Sequence, residues 1–97
     1  MANYIVLMKL TMEGAKNLKD APQRLAKANE TLAKEGAKIT AGYATLGQYD
    51  YVFVIEGPED IAKVAKCSAA VAMTGASSVQ TMPALPVTDF FKLVAEI

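Results

Sequence analysis

The chain has 97 residues, ten basic and ten acidic side chains, one Cys, and neither His nor Trp. That length predicts one domain, residues 1–97, with a core of its own. The balanced charge argues against a nucleic-acid partner, the single Cys rules out an intrachain disulfide, and the lack of His removes the commonest general base and catalytic-zinc ligand.

The longest apolar runs are strand-sized, well short of the ~20 residues that span a bilayer. The N-terminal "MANYIVLMKL" lacks the basic flank and small-residue cleavage site of a signal peptide. The expectation is a cytoplasmic protein with no membrane partner, no metal and no cofactor.

Asn3 to Leu10 is apolar and β-branched without clean alternation, the pattern of a strand buried on both faces. Thr11 is a fair N-cap for a helix starting just after it. From Gly14 to Glu35, Leu18, Ala21, Leu25, Ala28 and Leu32 recur at helical spacing. Pro22 predicts a break near Asp20, with Asp20 capping a second helix and Pro22 in its first turn. Gly36 ends it.

Lys38 to Leu46 reads as a second strand and Asp50 to Glu56 as a third, joined by a two-residue Gly47-Gln48 turn of type II′. Gly57-Pro58-Glu59-Asp60 opens a helix whose inner stripe is Ile61, Val64, Ala65, Ser68, Val71 and Ala72, and Gly75 stops it. Ser77 to Leu85 is a fourth, more polar strand. Pro86 and Thr88 introduce a short tail helix, with Phe90, Phe91 and Val94 expected to face inward.

The order β-α-β-β-α-β plus a tail helix predicts an α+β fold: a ferredoxin-like antiparallel sheet with a C-terminal helix. Right-handed crossovers put strands one and three at the centre, and the more polar strands two and four suit edges. The crossover helices cover one side of the sheet. The other side is left bare, yet strands one and three are apolar at both parities. Such a face exceeds what monomers tolerate, which predicts self-association through it, most simply as a twofold dimer. The alternative is a tail helix folded back across that face.

A two-residue turn pairs Leu46 with Tyr49, Thr45 with Asp50 and Tyr43 with Val52, gathering Tyr43, Thr45 and Asp50 at one end of one face, with Tyr49 beside them at the corner. These four are the candidate ligand-binding residues. Asp50 has two readings: a base or acceptor for a ligand, or an acceptor for Thr45 or a turn amide, the commoner use of Asp beside a tight turn. Lys9 and Glu56 are placed at the same end of parallel neighbouring strands, as a salt bridge, which keeps Lys9 away from Asp50. Cys67 falls on the stripe of Val64 and Val71 and reads as buried and inert. Lys19, Asp20 and Arg24 cluster at the helix break as an ion pair or a weak anion site. Met8, Met12, Met73 and Met82 are core filler or the lining of an adaptable pocket.

The chain resembles the GYD-domain family almost end to end, through "YIVLMKLT", "GAKNLKDAPQR", Gly47-Gln48-Tyr49-Asp50 and "EGPED". The resemblance implies a dimeric α/β-barrel type of assembly and brings no assigned reaction or catalytic residue. Through the same hairpin the chain is similar, more distantly, to the ligand-sensing domain of leucine-responsive regulators, which implies small-molecule binding at a subunit interface. It lacks their helix-turn-helix. Three functions are expected on these grounds: a homo-oligomeric small-molecule-binding or regulatory domain; a cofactor-free monooxygenase- or isomerase-like enzyme of the same barrel type; or a structural assembly subunit. Enzymes of that type use a His, Asn or Trp at the pocket, and the lack of His and Trp favours binding.

Overall fold

The structure, a computed structural model, describes residues 1–97. Four strands, β1 (Ala2–Leu10), β2 (Lys38–Ala44), β3 (Tyr51–Gly57) and β4 (Ser77–Ala84), form one sheet in the order β2-β3-β1-β4. The helices are α1 (Met12–Lys16), α2 (Ala21–Lys34), α3 (Ile61–Ala72) and α4 (Val87–Ala95), with a 3-10 turn over Leu18–Asp20 between the first two. The apolar strands β1 and β3 occupy the centre and the more polar β2 and β4 the edges, as the sequence predicts.

Local chemistry explains the boundaries. Thr11 Oγ1 accepts the Gly14 amide at 3.1 Å and caps α1. Pro22 lies in the first turn of α2, where its missing N–H costs nothing, but the Asp20 side chain makes no capping bond. Asp60 caps α3 through the Ala62 amide at 2.9 Å. The start of α1 lies against the turn into β4: Thr11 N and Oγ1 donate to Ala76 O and Gly75 O at 3.0 and 2.6 Å. The approach is so close that a Cβ at Gly14 would overlap Ala76 O.

All sheet pairings are antiparallel, including β1 with β3, which places Asn3 opposite Glu56 and Met8 opposite Tyr51. The expected parallel pairing of these strands, and with it the Lys9–Glu56 bridge, is therefore wrong: a split βαβ runs its two central strands in opposite directions. Lys9 belongs to the other end, beside Asp50.

Helices α2 and α3 lie over the side of the sheet that carries Tyr4, Val6, Met8, Phe53, Ile55 and Val79. The opposite side carries Ile5, Leu7, Val52, Val54 and Met82, all half-buried, with Tyr43 and Gln80 exposed. One irregularity sets this arrangement in β2. The register steps between Ile39 and Ala41, leaving Thr40 as an extra residue whose hydroxyl donates to Val54 O at 3.2 Å. Beyond it, Gly42 faces Phe53 and Tyr43 faces Val52.

The tail helix departs from expectation. Every residue from Leu85 to Ile97 is exposed, Phe90, Phe91 and Val94 among them. Helix α4 does not fold back over the sheet, and the molecule measures 50 × 31 × 18 Å. The buried set is small: Tyr4, Val6, Ala76 and Ser77 are buried, and Leu32, Ala37 and Cys67 cluster together, flanked by Ile39 and Ile55. On α3 the inner face is Val64, Cys67, Ser68 and Val71, whereas Ile61, Ala65 and Ala72 are exposed.

Candidate functional site

The hairpin between β2 and β3 brings the four predicted residues to one end of the sheet. Its last backbone bond runs from Thr45 N to Asp50 O at 2.9 Å, so the loop holds Leu46–Tyr49 and is wider than a two-residue turn. Gly47 has φ +123°, and the Thr45 hydroxyl closes the loop by donating to Tyr49 O at 2.6 Å. The predicted register of Tyr43 with Val52 holds.

Asp50 turns toward β1. Its amide donates to Met8 O at 2.9 Å, and its Oδ2 accepts the Leu10 amide at 2.7 Å. The carboxylate continues the β1–β3 ladder beyond its last backbone pair, serving the backbone through a distant strand instead of Thr45. Lys9 stands between the two backbone groups that Asp50 engages. The Tyr49 hydroxyl donates to Gln80 Oε1 at 3.0 Å. Gln80 lies on β4 opposite Leu7, so Tyr49 reaches past β1 on the open side of the sheet. Tyr43 stays exposed on that side, 64% accessible. Three of the four residues therefore have hydrogen-bond partners within the chain, and Tyr43 presents a free ring.

The residue pattern matches the GYD domain model over residues 4–94. The chain belongs to the GYD domain family. This GYD chain is 40% identical over 90 residues, 92% of its length and 94% of the other's, to the glutamine synthetase and cystathionine beta-lyase binding protein of Thermus thermophilus. Among solved structures it is similar in fold to FFRP-DM1, with a TM-score of 0.59 at 16% identity over 88% of this chain and all of that one. It is similar also to the leucine response regulatory protein LrpA of Mycobacterium tuberculosis, with a TM-score of 0.62 at 16% identity over 88% of this chain and 51% of that one. At such identities the likeness is one of fold, and it agrees with the small α+β architecture described above.

Two further features were not foreseen. Gln80 as the partner of Tyr49 had no local signal, being 31 residues away. The other is a cavity of about 470 Å³ between the helices and the sheet, lined by Tyr4, Val6, Met8, Phe53, Leu25 and Val71 among others. The alanines that should have flagged it, Ala21 and Ala28 on α2, read in the sequence as ordinary members of a stripe. The methionines do not come together: Met8 lines this cavity and Met82 the opposite face, while Met12 and Met73 are exposed. No Asp20–Arg24 pair forms, and Arg24 Nη1 donates instead to Asn17 O at 3.0 Å. Cys67 is buried, and its burial, reinforced by nearby Glu35, holds the thiol above its usual pKa, so it lacks thiolate character. No group of three or more His, Cys, Asp or Glu side chains is placed to hold a metal ion, and no helix is long and apolar enough to cross a membrane.

Proposed function

We propose that this GYD protein is a homo-oligomeric regulatory binding domain that pairs through the open side of its sheet. The observation that carries this reading is the apolar strip of Ile5, Leu7, Val52, Val54 and Met82 on a face that nothing in the chain covers. Four strands at ~4.8 Å spacing and seven residues at ~3.3 Å give a face of roughly 400 Å², the size of the largest patches found on monomers, which are often functional. Helix α4 adds Phe90, Phe91, Leu93 and Val94, each about half exposed. Two such sheets packed face to face would form a dimeric α/β barrel. Tyr43 and the Tyr49–Gln80 bridge then stand at its rim, where Tyr43, Thr45, Tyr49 and Asp50 would meet a small molecule held between copies.

The name of the Thermus relative supports a protein client as well. At 40% identity over nearly the whole of both chains, a partner enzyme of the kind that relative binds is the reading we carry to this protein. Sedimentation equilibrium at micromolar concentration tests the pairing, with a dimer or larger species expected; a clean monomer would overturn it. Surface plasmon resonance against glutamine synthetase and cystathionine beta-lyase from the same source tests the client. Saturable binding to at least one enzyme is expected, and binding to neither removes that part of the reading.

A further inference from the structure

The cavity between the helix layer and the sheet lies on the opposite side from the pairing face, and that reading gives it no role. It is large for a domain of this size. At about 470 Å³ it falls within the roughly 300–1,000 Å³ typical of small-molecule sites. Its sheet wall runs along β1 from Tyr4 to Leu10, about 20 Å at ~3.3 Å per residue. The space exists because the helices present small side chains, Ala21 and Ala28 from α2 and Ala70 from α3, opposite Val6, Met8 and Phe53.

The polar groups of the cavity are selective about what it would hold. Ser68 Oγ and Thr81 Oγ1 share a hydrogen bond of 2.7 Å, and the Tyr4 hydroxyl donates to Pro58 O at 2.6 Å. No buried side-chain nitrogen or oxygen lacks a partner. With these hydroxyls engaged, the interior asks little that is polar of a guest. Charge is confined to Arg24 and Lys27, one turn apart on α2, and none of the ten acidic side chains lines the cavity. Both cations also border a polar surface depression that includes Glu13, Asp20 and Gln23, so they stand at a mouth. The Asn17 carbonyl holds Arg24 through Nη1, leaving its remaining donors available.

We propose that this cavity binds an aliphatic carboxylate, its chain lying along Val6, Met8 and Phe53 and its carboxylate meeting Arg24 and Lys27. An apolar body suits the satisfied interior, and a single negative charge suits a lining whose only charges are positive. A second copy's α4, with Phe90 and Phe91, is the competing occupant; it also carries Asp89 and Glu96, so the titration below decides between the two.

Isothermal titration of the full chain with octanoate, butyrate and 1-octanol tests the proposal. Octanoate should saturate one site per chain, and 1-octanol should bind about tenfold more weakly for want of the charge-assisted contact. Butyrate should not saturate. The double change Arg24→Gln, Lys27→Gln should bring octanoate down to the affinity of the alcohol. Ala28→Phe, or Val64→Phe should that variant not fold, should abolish both while thermal unfolding stays cooperative. Absence of saturable octanoate binding by the wild type, whether because side chains or a partner's α4 fill the space, would overturn the proposal. So would equal affinity for acid and alcohol, or unchanged binding by a folded cavity-filling variant. Sedimentation of the same samples reports pairing through the other face independently, so the two readings fail separately.

Discussion

The Asp50 carboxylate accepts the Leu10 amide at 2.7 Å across forty residues of chain. The bond ties the start of β3 to the end of β1 where the backbone ladder stops. Asp50→Ala leaves the Leu10 amide without its partner, at a cost of about 1–3 kcal/mol. In a domain this small each kcal/mol is worth roughly 4–8 °C of melting temperature. Asp50→Asn keeps an acceptor oxygen and should lose less. Circular dichroism melts of the two variants measure this, and an unchanged melt for Asp50→Ala would show that the tie contributes nothing to folding.

Phe53 and Val54 are neighbours with opposite duties. Phe53 faces the helices and packs beside Tyr51, ring centroids 6.0 Å apart, whereas Val54 faces the open side opposite Ile5. Val54→Asp should give a folded protein that sediments as a monomer. Phe53→Asp should lose cooperative unfolding, since a carboxylate without a partner would enter the apolar layer. A Val54→Asp protein that still associates would place the interface elsewhere.

Gly14 has no room for a methyl group against Ala76 O. Gly14→Ala should destabilise by about 1–3 kcal/mol, because the offending atom is backbone and the α1 start and β4 turn must separate. Urea denaturation gives the difference directly.

Lys66 and Glu35 form an ion pair of 2.8 Å between α3 and the end of α2. The Lys66 hydrogen bond lowers the Glu35 pKa, and the same bond raises that of Lys66. The Glu35 contribution is therefore present above the unfolded carboxylate pKa of about 4.3 and is lost as pH falls through the lower folded value. The Lys66 contribution is present below about 10.4 and is lost as pH rises through the higher folded value. Glu35→Gln should flatten both limbs of the stability–pH curve. Because Lys66 is exposed the effect should be small and should shrink further in high salt.

Cys67 should react slowly with a thiol reagent in the native protein and rapidly once unfolded, since it is buried and its thiol resists ionisation. Fast native labelling would mean that α3 opens readily.

Patterns that live within a few residues were legible in the sequence. Thr11 and Asp60 announce their helices by their own side chains, and Pro22 marks the break because its ring forbids a continuous helix. The greasy β1 and β3 announce the sheet centre. Relationships between distant strands were not legible. The Asp50–Leu10 and Tyr49–Gln80 bonds each join residues with no shared local pattern, and the antiparallel orientation of β1 against β3 comes from topology, which no stretch of either strand displays. Helix α4 shows the limit from another side. Its apolar spacing demands a partner without saying which chain supplies it, and within its own chain every residue of the helix stays exposed. The alanines that open the cavity carried the right period but not the volume a filled core needs.

The extra residue at Thr40 decides which side chains the far end of β2 presents to each side of the sheet. Ile39 belongs to the helix side and Tyr43 to the open side only because one position between them is uncounted in the pairing. Drawing Thr40 into the ladder would restore strict alternation along the present sequence, and either the far half of the strand would turn over or the hairpin would slip by one. Turning over would carry Tyr43 toward the helices and Ala44 to the open side. Deleting Thr40 would instead leave Ile39 and Ala41 as neighbours on opposite sides, as they are now, so the loss of that one codon would straighten the strand without exchanging which side chains this end of the sheet offers to the outside.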